Sequence, residues 1–286
     1  MKRLLCVLHH CKSLLSFLLV VTTVSHARIV TDSIQSKVLN TTVRVNVYLP
    51  TSYDVTNHYP VLYLLHGLTD TYEAWERKGQ MHIVADELLQ AGEIRPFVII
   101  MPNAGGPDTR NTWNGYFDMP DWPYHQFFYE ELLPTFEQRY NAGGDKGHRA
   151  LSGLSMGGGG SCVYAQRHPD MFSSCYIMSG WLDSDDATPD PTNKRTCVSH
   201  AVHDNACVPF LHNATDEQKA QLRTLRWFID VGDDDYLLFQ STEFYRLMRD
   251  NHIPCEFRVR NGGHSWEYWH TALRTSLPFA SRNFQP

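Results

Sequence analysis

The sequence predicts an α/β protein with a mostly parallel central sheet, an antiparallel N-terminal edge and helices on both faces. Three observations carry this reading. Short continuous apolar runs, bounded by turn residues, recur along the chain; helix-period segments separate them; and a stretch of strict alternation precedes the first run.

From Ile29 to Pro50 the side chains alternate, with Val43, Val45 and Val47 on one face and Arg44, Asn46 and Tyr48 on the other, the pattern of half-exposed antiparallel strands at a sheet edge. Val61–Leu65 is continuously apolar and ends in His66-Gly67, as expected of a strand covered by helices on both sides. Met81–Leu89 switches to the helical period, and Phe97–Met101 is a second buried strand closed by Pro102. After an irregular stretch from Ala104 to Pro123, Phe127–Tyr140 is amphipathic but carries Pro134, so a kink or restart is expected there. Arg149–Leu154 is a strand, Gly160–Arg167 a helix and Ser174–Met178 a further strand. Trp181–Thr215 lacks periodicity and reads as an inserted loop or cap. Asp216–Leu222, Leu237–Asn251 and Trp266–Phe279 read as helices, alternating with strands at Arg226–Gly232 and Cys255–Arg260. No repeat or linker breaks this order, so residues 28–286 are expected to form one domain.

Residues 1–27 have the pattern of an export signal: Lys2, Arg3 and Lys12 precede an apolar run from Leu14 to Val24, and Ser25-His26-Ala27 offers a small-x-small cleavage site. The run is short of the ~20 residues needed to span a bilayer, so no stable membrane insertion is expected, and the chain is expected to be secreted or periplasmic. Cleavage would remove three basic residues and no acid, deepening the formal charge of −6 by three. An acidic chain without a Lys/Arg cluster is not built for nucleic acid. The remaining cysteines are Cys162, Cys175, Cys197, Cys207 and Cys255; an exported context favours a Cys197–Cys207 disulfide closing a short loop. With no C-x-x-C pair, and only His200 and His203 closely spaced, no metal site is expected, and no cofactor.

The chemistry centres on Gly153-Leu154-Ser155-Met156-Gly157, where a strand ends and a helix begins. A G-x-S-x-G occurs by chance in about one chain in ten of this size, so its surroundings decide its meaning. No Gly-Lys-Ser/Thr ending follows, which removes the phosphate-loop reading. In a nucleophile elbow the glycines spare the neighbouring strand and helix a Cβ, and the serine hydroxyl is pushed out beside unpaired helix N-terminal amides. A serine at neutral pH needs a histidine to take its proton and an acid to hold that histidine. In the α/β-hydrolase arrangement the chain order is Ser, then Asp or Glu, then His. Asp233-Asp234-Asp235 ends one strand and His264 follows the last, so both place and order fit, with three aspartates open for the acid and helix capping the ordinary role of the other two. The amides of Leu68, after the first buried strand, and Met156 are the expected oxyanion donors; His66 is expected to pack against the elbow.

Taken together, Leu62–Leu68 with Trp75, Glu130-Glu131-Leu132-Leu133-Pro134, Gly153–Gly158, Gly232-x-x-Asp235-Tyr236-Leu237 and Gly263-His264-x-Trp266-x-x-Trp269 resemble the esterase D-like hydrolases. That family includes feruloyl and acetylxylan esterases of carbohydrate esterase family 1, tributyrin esterases and S-formylglutathione hydrolase. The resemblance runs from about Val43 to Leu277. It implies the α/β-hydrolase fold and a serine carboxylesterase acting through an acyl-enzyme, with Ser155 the nucleophile, His264 the base, Asp235 the acid, and Leu68 and Met156 forming the oxyanion hole. Export and the acidic surface point to small-molecule or polysaccharide esters, with acetyl or feruloyl groups, as substrates. Trp113, Tyr116, Phe117, Trp122, Trp181 and Trp266 are candidates for a sugar or aryl platform, and Trp181 and Trp266 are taken as substrate-binding. Two other functions share the scaffold: an acyltransferase of the mycolyltransferase type, and a non-catalytic carbohydrate-binding protein.

Overall fold

A computed structural model describes residues 27–105, 114–185, 188–190 and 192–286; residues 1–26 of the expected leader and Trp113 lie outside the described residues. The strands of the central sheet begin with β1 (Arg28–Ser36), β2 (Thr41–Leu49), β3 (Val61–Leu65) and β4 (Val98–Pro102). β5 (Asp118–Met119) and β6 (Trp122–Pro123) form a separate two-residue ribbon. β7 (Arg149–Leu154), β8 (Ser174–Met178), β9 (Arg226–Gly232) and β10 (Cys255–Arg260) complete the sheet, whose order is β1-β2-β4-β3-β7-β8-β9-β10. From β4 to β10 all neighbours run parallel, while β1–β2 and β2–β4 are antiparallel.

The alternation in β2 proves stronger than an edge strand needs. β1 is the edge, and β2 lies inside it against β4, so Asn46 and Tyr48 on its outer face are also buried. Asn46 donates to Glu76 at 2.8 Å and Tyr48 to Asp86 at 2.7 Å, which satisfies the polar atoms that burial would otherwise strand.

The continuous apolar runs split between two cores because successive strand side chains point to opposite faces. Tyr63, Leu65, Ile100, Leu151, Ile177 and Ile229 share one core. Leu62, Leu64, Ile99, Ala150, Tyr176 and Phe228 share the other. On the second side lie α1 (Ala74–Arg77), which contributes Trp75, and α2 (Met81–Gln90). The first side is covered by α3 (Tyr124–Phe127), a π-helical turn (Phe128–Leu132), α4 (Leu133–Tyr140) and α5 (Met156–Arg167). The π turn is the restart expected at Pro134: widening the helix just before the proline relieves the clash of its ring with the preceding turn.

Residues 181–215 are more regular than their composition suggests. They contain α6 (Lys194–Asp204) and α7 (Cys207–His212), followed by α8 (Asp216–Leu222), which Thr215 starts with a capping box. Only Val198, Ala201 and Val202 of α6 are buried, too narrow a stripe to show in the sequence. The expected Cys197–Cys207 bridge is absent, and all five described cysteines are free. Cys207 opens α7 with its Sγ turned into the core, 3.9 Å from the Gly159 carbonyl and beside Cys162, whereas the Cys197 Sγ faces the Asp190 carbonyl at 3.5 Å. α9 (Leu238–Asp250) and α10 (Trp266–Asn283) complete the chain, α10 crossing the second face beside α2. Among the described residues no helix is long and apolar enough to cross a membrane.

Candidate active site

β7 runs into Ser155, whose backbone sits at φ 52° and ψ −119°, and α5 begins at the next residue. A non-glycine residue there costs on the order of 1–3 kcal/mol and persists only when its surroundings hold it. Three bonds hold this one. The Ser155 amide donates to the Met178 carbonyl at 2.9 Å, and its own carbonyl accepts from Gly159 at 3.0 Å and Trp181 at 2.9 Å. The flanking glycines permit the close approach: a Cβ on Gly153 would lie 2.3 Å from the Gly157 carbonyl oxygen, and one on Gly157 would lie 2.5 Å from those of both Leu65 and His66. Because those carbonyls belong to the sheet and the turn after it, Gly157→Ala is expected to destabilise the fold by about 3 kcal/mol. A thermal melt within a degree of the parent would contradict the tightness of that contact.

The Ser155 hydroxyl lies 2.9 Å from His264 Nε2, and His264 Nδ1 lies 3.0 and 2.9 Å from the two carboxylate oxygens of Asp235. The structure thus brings together the three residues singled out in the sequence, and it sorts the aspartates. Asp235 is fully buried at its side chain, Asp234 is exposed, and Asp233 accepts the Gly262 amide at 2.9 Å. Asp233 therefore pins the loop that carries His264, and neither it nor Asp234 caps α9, whose start has no side-chain cap.

Burial would raise the Asp235 pKa, but bonds from His264, the Leu237 amide and Ser179 outweigh it and hold the carboxyl below its ordinary 3.8. A depressed native pKa adds stability that is present above the unfolded value and is lost as pH falls through the native one. Thermal melts between pH 6 and pH 3 should therefore show Asp235→Asn losing less stability than the parent across that range. Parallel curves for the two proteins would contradict the assignment.

Two neighbours escaped the sequence reading. Ser179, at φ 46°, has its hydroxyl near enough to help keep Asp235 ionised and accepts Trp269 Nε1 at 3.2 Å. A Ser-Gly pair closing a buried strand was the available signal. The second is Tyr236, whose ring is tilted against that of His264 at 4.5 Å; Trp269 also meets the imidazole, edge-on at 4.8 Å. Beneath them, buried Asp230 accepts Tyr268 at 2.6 Å, Tyr176 at 2.5 Å and Arg258 at 2.5 Å. That cluster ties the first turn of α10, just past His264, to β8, β9 and β10.

The His66-Gly67-Leu68 turn abuts the elbow: a Cβ on Gly67 would lie 3.7 Å from that of Ser155. Among the described residues, the Leu68 and Met156 amides donate no backbone hydrogen bond. His66 is a packing residue, as expected. Its Nε2 accepts the Ala104 amide at 3.0 Å, which leaves Nδ1–H to donate to the Gly67 carbonyl at 2.8 Å, and burial lowers its pKa and keeps the ring neutral.

Three of the six aromatics expected to form a platform lie in the core instead. Tyr116, Phe117 and Trp122 are buried; the Tyr116 hydroxyl accepts the His66 amide at 2.8 Å and Trp122 Nε1 donates to the Gly115 carbonyl at 3.2 Å, so they brace the site from within. Trp181 is half-buried and joined to the elbow by its backbone. Trp266 is half-buried, edge-on to Trp75 at 5.2 Å and Trp269 at 5.5 Å, with the Lys78 ammonium over it at 5.7 Å. Among the described residues no group of three His, Cys, Asp or Glu side chains could hold a metal.

A hydroxyl on a strained elbow, in line with an imidazole anchored by a carboxylate, is built for acyl transfer. On this sheet it defines the chain as a serine esterase of the α/β-hydrolase fold. Comparison gives the family. The Esterase family model matches residues 36–280, and the chain belongs to that family. It is 47% identical to a ferulic acid esterase of solved structure, with a TM-score of 0.87 over 91% of this chain and 99% of that one. The ferulic acid esterase AmCE1/Fae1A of Anaeromyces mucronatus, solved with ferulic acid, shares the fold at 19% identity, with a TM-score of 0.72 over 92% and 94% of the two chains. The endo-1,4-beta-xylanase/feruloyl esterase of Xylanibacter ruminicola is 32% identical over 151 residues, which are 51% of this chain and 20% of that protein. Esterase Rv1288 of Mycobacterium tuberculosis is 30% identical over 140 residues, 48% and 28% of the respective lengths. The match thus spans less than a third of either curated relative.

Proposed function

We propose that this protein is an exported esterase that removes feruloyl groups, and more generally small acyl groups such as acetyl, from carbohydrate-linked or small-molecule esters. The observation that carries the chemistry is the Ser155–His264–Asp235 hydrogen-bond chain on the elbow. In this reading His264 Nε2 takes the Ser155 proton as Oγ attacks the ester carbonyl, and the amides of Leu68 and Met156 hold the oxyanion. Collapse breaks the bond to the alcohol, whose oxygen receives the proton from His264. Water then enters by the same route and releases the free acid, regenerating Ser155. Asp235 holds the imidazole tautomer with Nδ1–H toward itself throughout. The 47% identity to a ferulic acid esterase over nearly the whole of that chain supports the feruloyl group. Residues 1–27 then serve as a removable leader, residues 28–286 as the esterase domain, and 181–215 as an insert beside the site, with Trp181 and Trp266 flanking the substrate.

A panel of methyl ferulate, acetylated xylan and nitrophenyl esters of rising chain length tests this, with free acid as the measured product. Hydrolysis of methyl ferulate is expected. Transfer of the acyl group to a sugar acceptor without release of acid, or no turnover of any ester, would overturn the reading.

A further inference from the structure

We propose that Tyr236 is the alcohol-side specificity residue of this enzyme, receiving on its open ring face the sugar to which the acyl group is esterified. The inference rests on the esterase reading above and deepens it.

Its position follows from the chemistry of the leaving group. The proton that His264 takes from Ser155 is delivered to the departing alcohol, so the alcohol half of the ester must lie against His264 Nε2, while the carbonyl oxygen points to the Leu68 and Met156 amides. The exposed aromatic ring resting against His264 is Tyr236, with ring centroids 4.5 Å apart. The imidazole's other ring contact, Trp269, meets it edge-on at 4.8 Å and is buried, so it offers no open face. An alcohol leaving through His264 therefore passes Tyr236.

Exposure makes the same residue unusual. Tyr236 is 71% exposed and Phe239, three positions on, 84%; they are the two most exposed large apolar side chains among the described residues. Isolated exposed aromatics need no explanation, but two such rings directly after the acid, one touching the catalytic imidazole, make an apolar lip at the reacting bond. An aromatic ring with a hydroxyl at its edge suits a sugar, whose C–H face packs on the ring while its hydroxyls bond the phenol. Arg195, from α6, lies near enough for its charge to act on the Tyr236 hydroxyl, so the 181–215 segment borders the same side.

The test uses two esters with one acyl group and different alcohols: methyl ferulate and ferulate esterified to a pentose oligosaccharide. The quantity read is the ratio of kcat/KM for the sugar ester to that for the methyl ester. In Tyr236→Ala the ratio is expected to fall about fivefold or more, chiefly through KM on the sugar ester, and Tyr236→Phe should keep most of it. A role confined to propping His264 would slow both esters alike and leave the ratio unchanged, and an unchanged ratio in Tyr236→Ala overturns the proposal. If the parent enzyme is inactive on both feruloyl esters, the acyl assignment fails instead, and the same ratio is then measured with an acetylated sugar against ethyl acetate.

Discussion

Ser155→Ala should lower kcat on any ester substrate by about 10⁵-fold or more, with the fold and melting temperature close to the parent's. The side-chain oxygen has one partner that matters, His264 Nε2 at 2.9 Å, and alanine can occupy the φ 52° elbow no less well than serine. What is lost is the nucleophile alone, while the oxyanion amides and the substrate contacts remain. The same variant should no longer react with a fluorophosphonate probe. Retention of more than about 1% of the parent's kcat would remove Ser155 from the role assigned to it.

The second large effect separates the three aspartates. Asp235→Asn should cost about 10⁴-fold in kcat, because an amide can donate to Nδ1 and so favours the tautomer with its proton on Nε2, which cannot accept from Ser155. Asp233→Asn keeps an oxygen that can accept the Gly262 amide, and Asp234 is exposed, so each should fall within a few-fold of the parent. Measured kcat values for the three variants decide the matter. A loss at Asp233 or Asp234 as large as at Asp235 would mean that the acid had been misassigned.

The pattern of success in reading this chain has a physical basis. The strands at Val61, Ser174 and Arg226 were legible because a strand buried on both faces is apolar along most of its length. Ser155 was legible because the elbow is local: the glycines it needs lie two residues away on either side, and any Cβ there would come within 2.3–2.5 Å of a neighbouring backbone carbonyl oxygen. His264 was legible for a related reason, lying in a glycine-rich loop at the end of the last strand, where the fold gathers its reactive groups. The site's aromatics were not legible. Nothing local distinguishes Tyr116, which spends its hydroxyl on the His66 amide inside the core, from Tyr236, which lies open beside the imidazole. Cys197 and Cys207 looked like a bridge because they are near in sequence, yet α6 and α7 direct one sulfur outward and the other into the core.

The sequence by itself determined the class of fold, the elbow and the order Ser, Asp, His, since each depends on periodicity or on residues a few positions apart. Only the tertiary structure decided which of three adjacent aspartates meets His264, which aromatics are buried and which stay open beside it, and what tethers the acid. Those questions concern groups brought together across 29 to 109 residues, and the directions of their side chains are set by packing that no local pattern records.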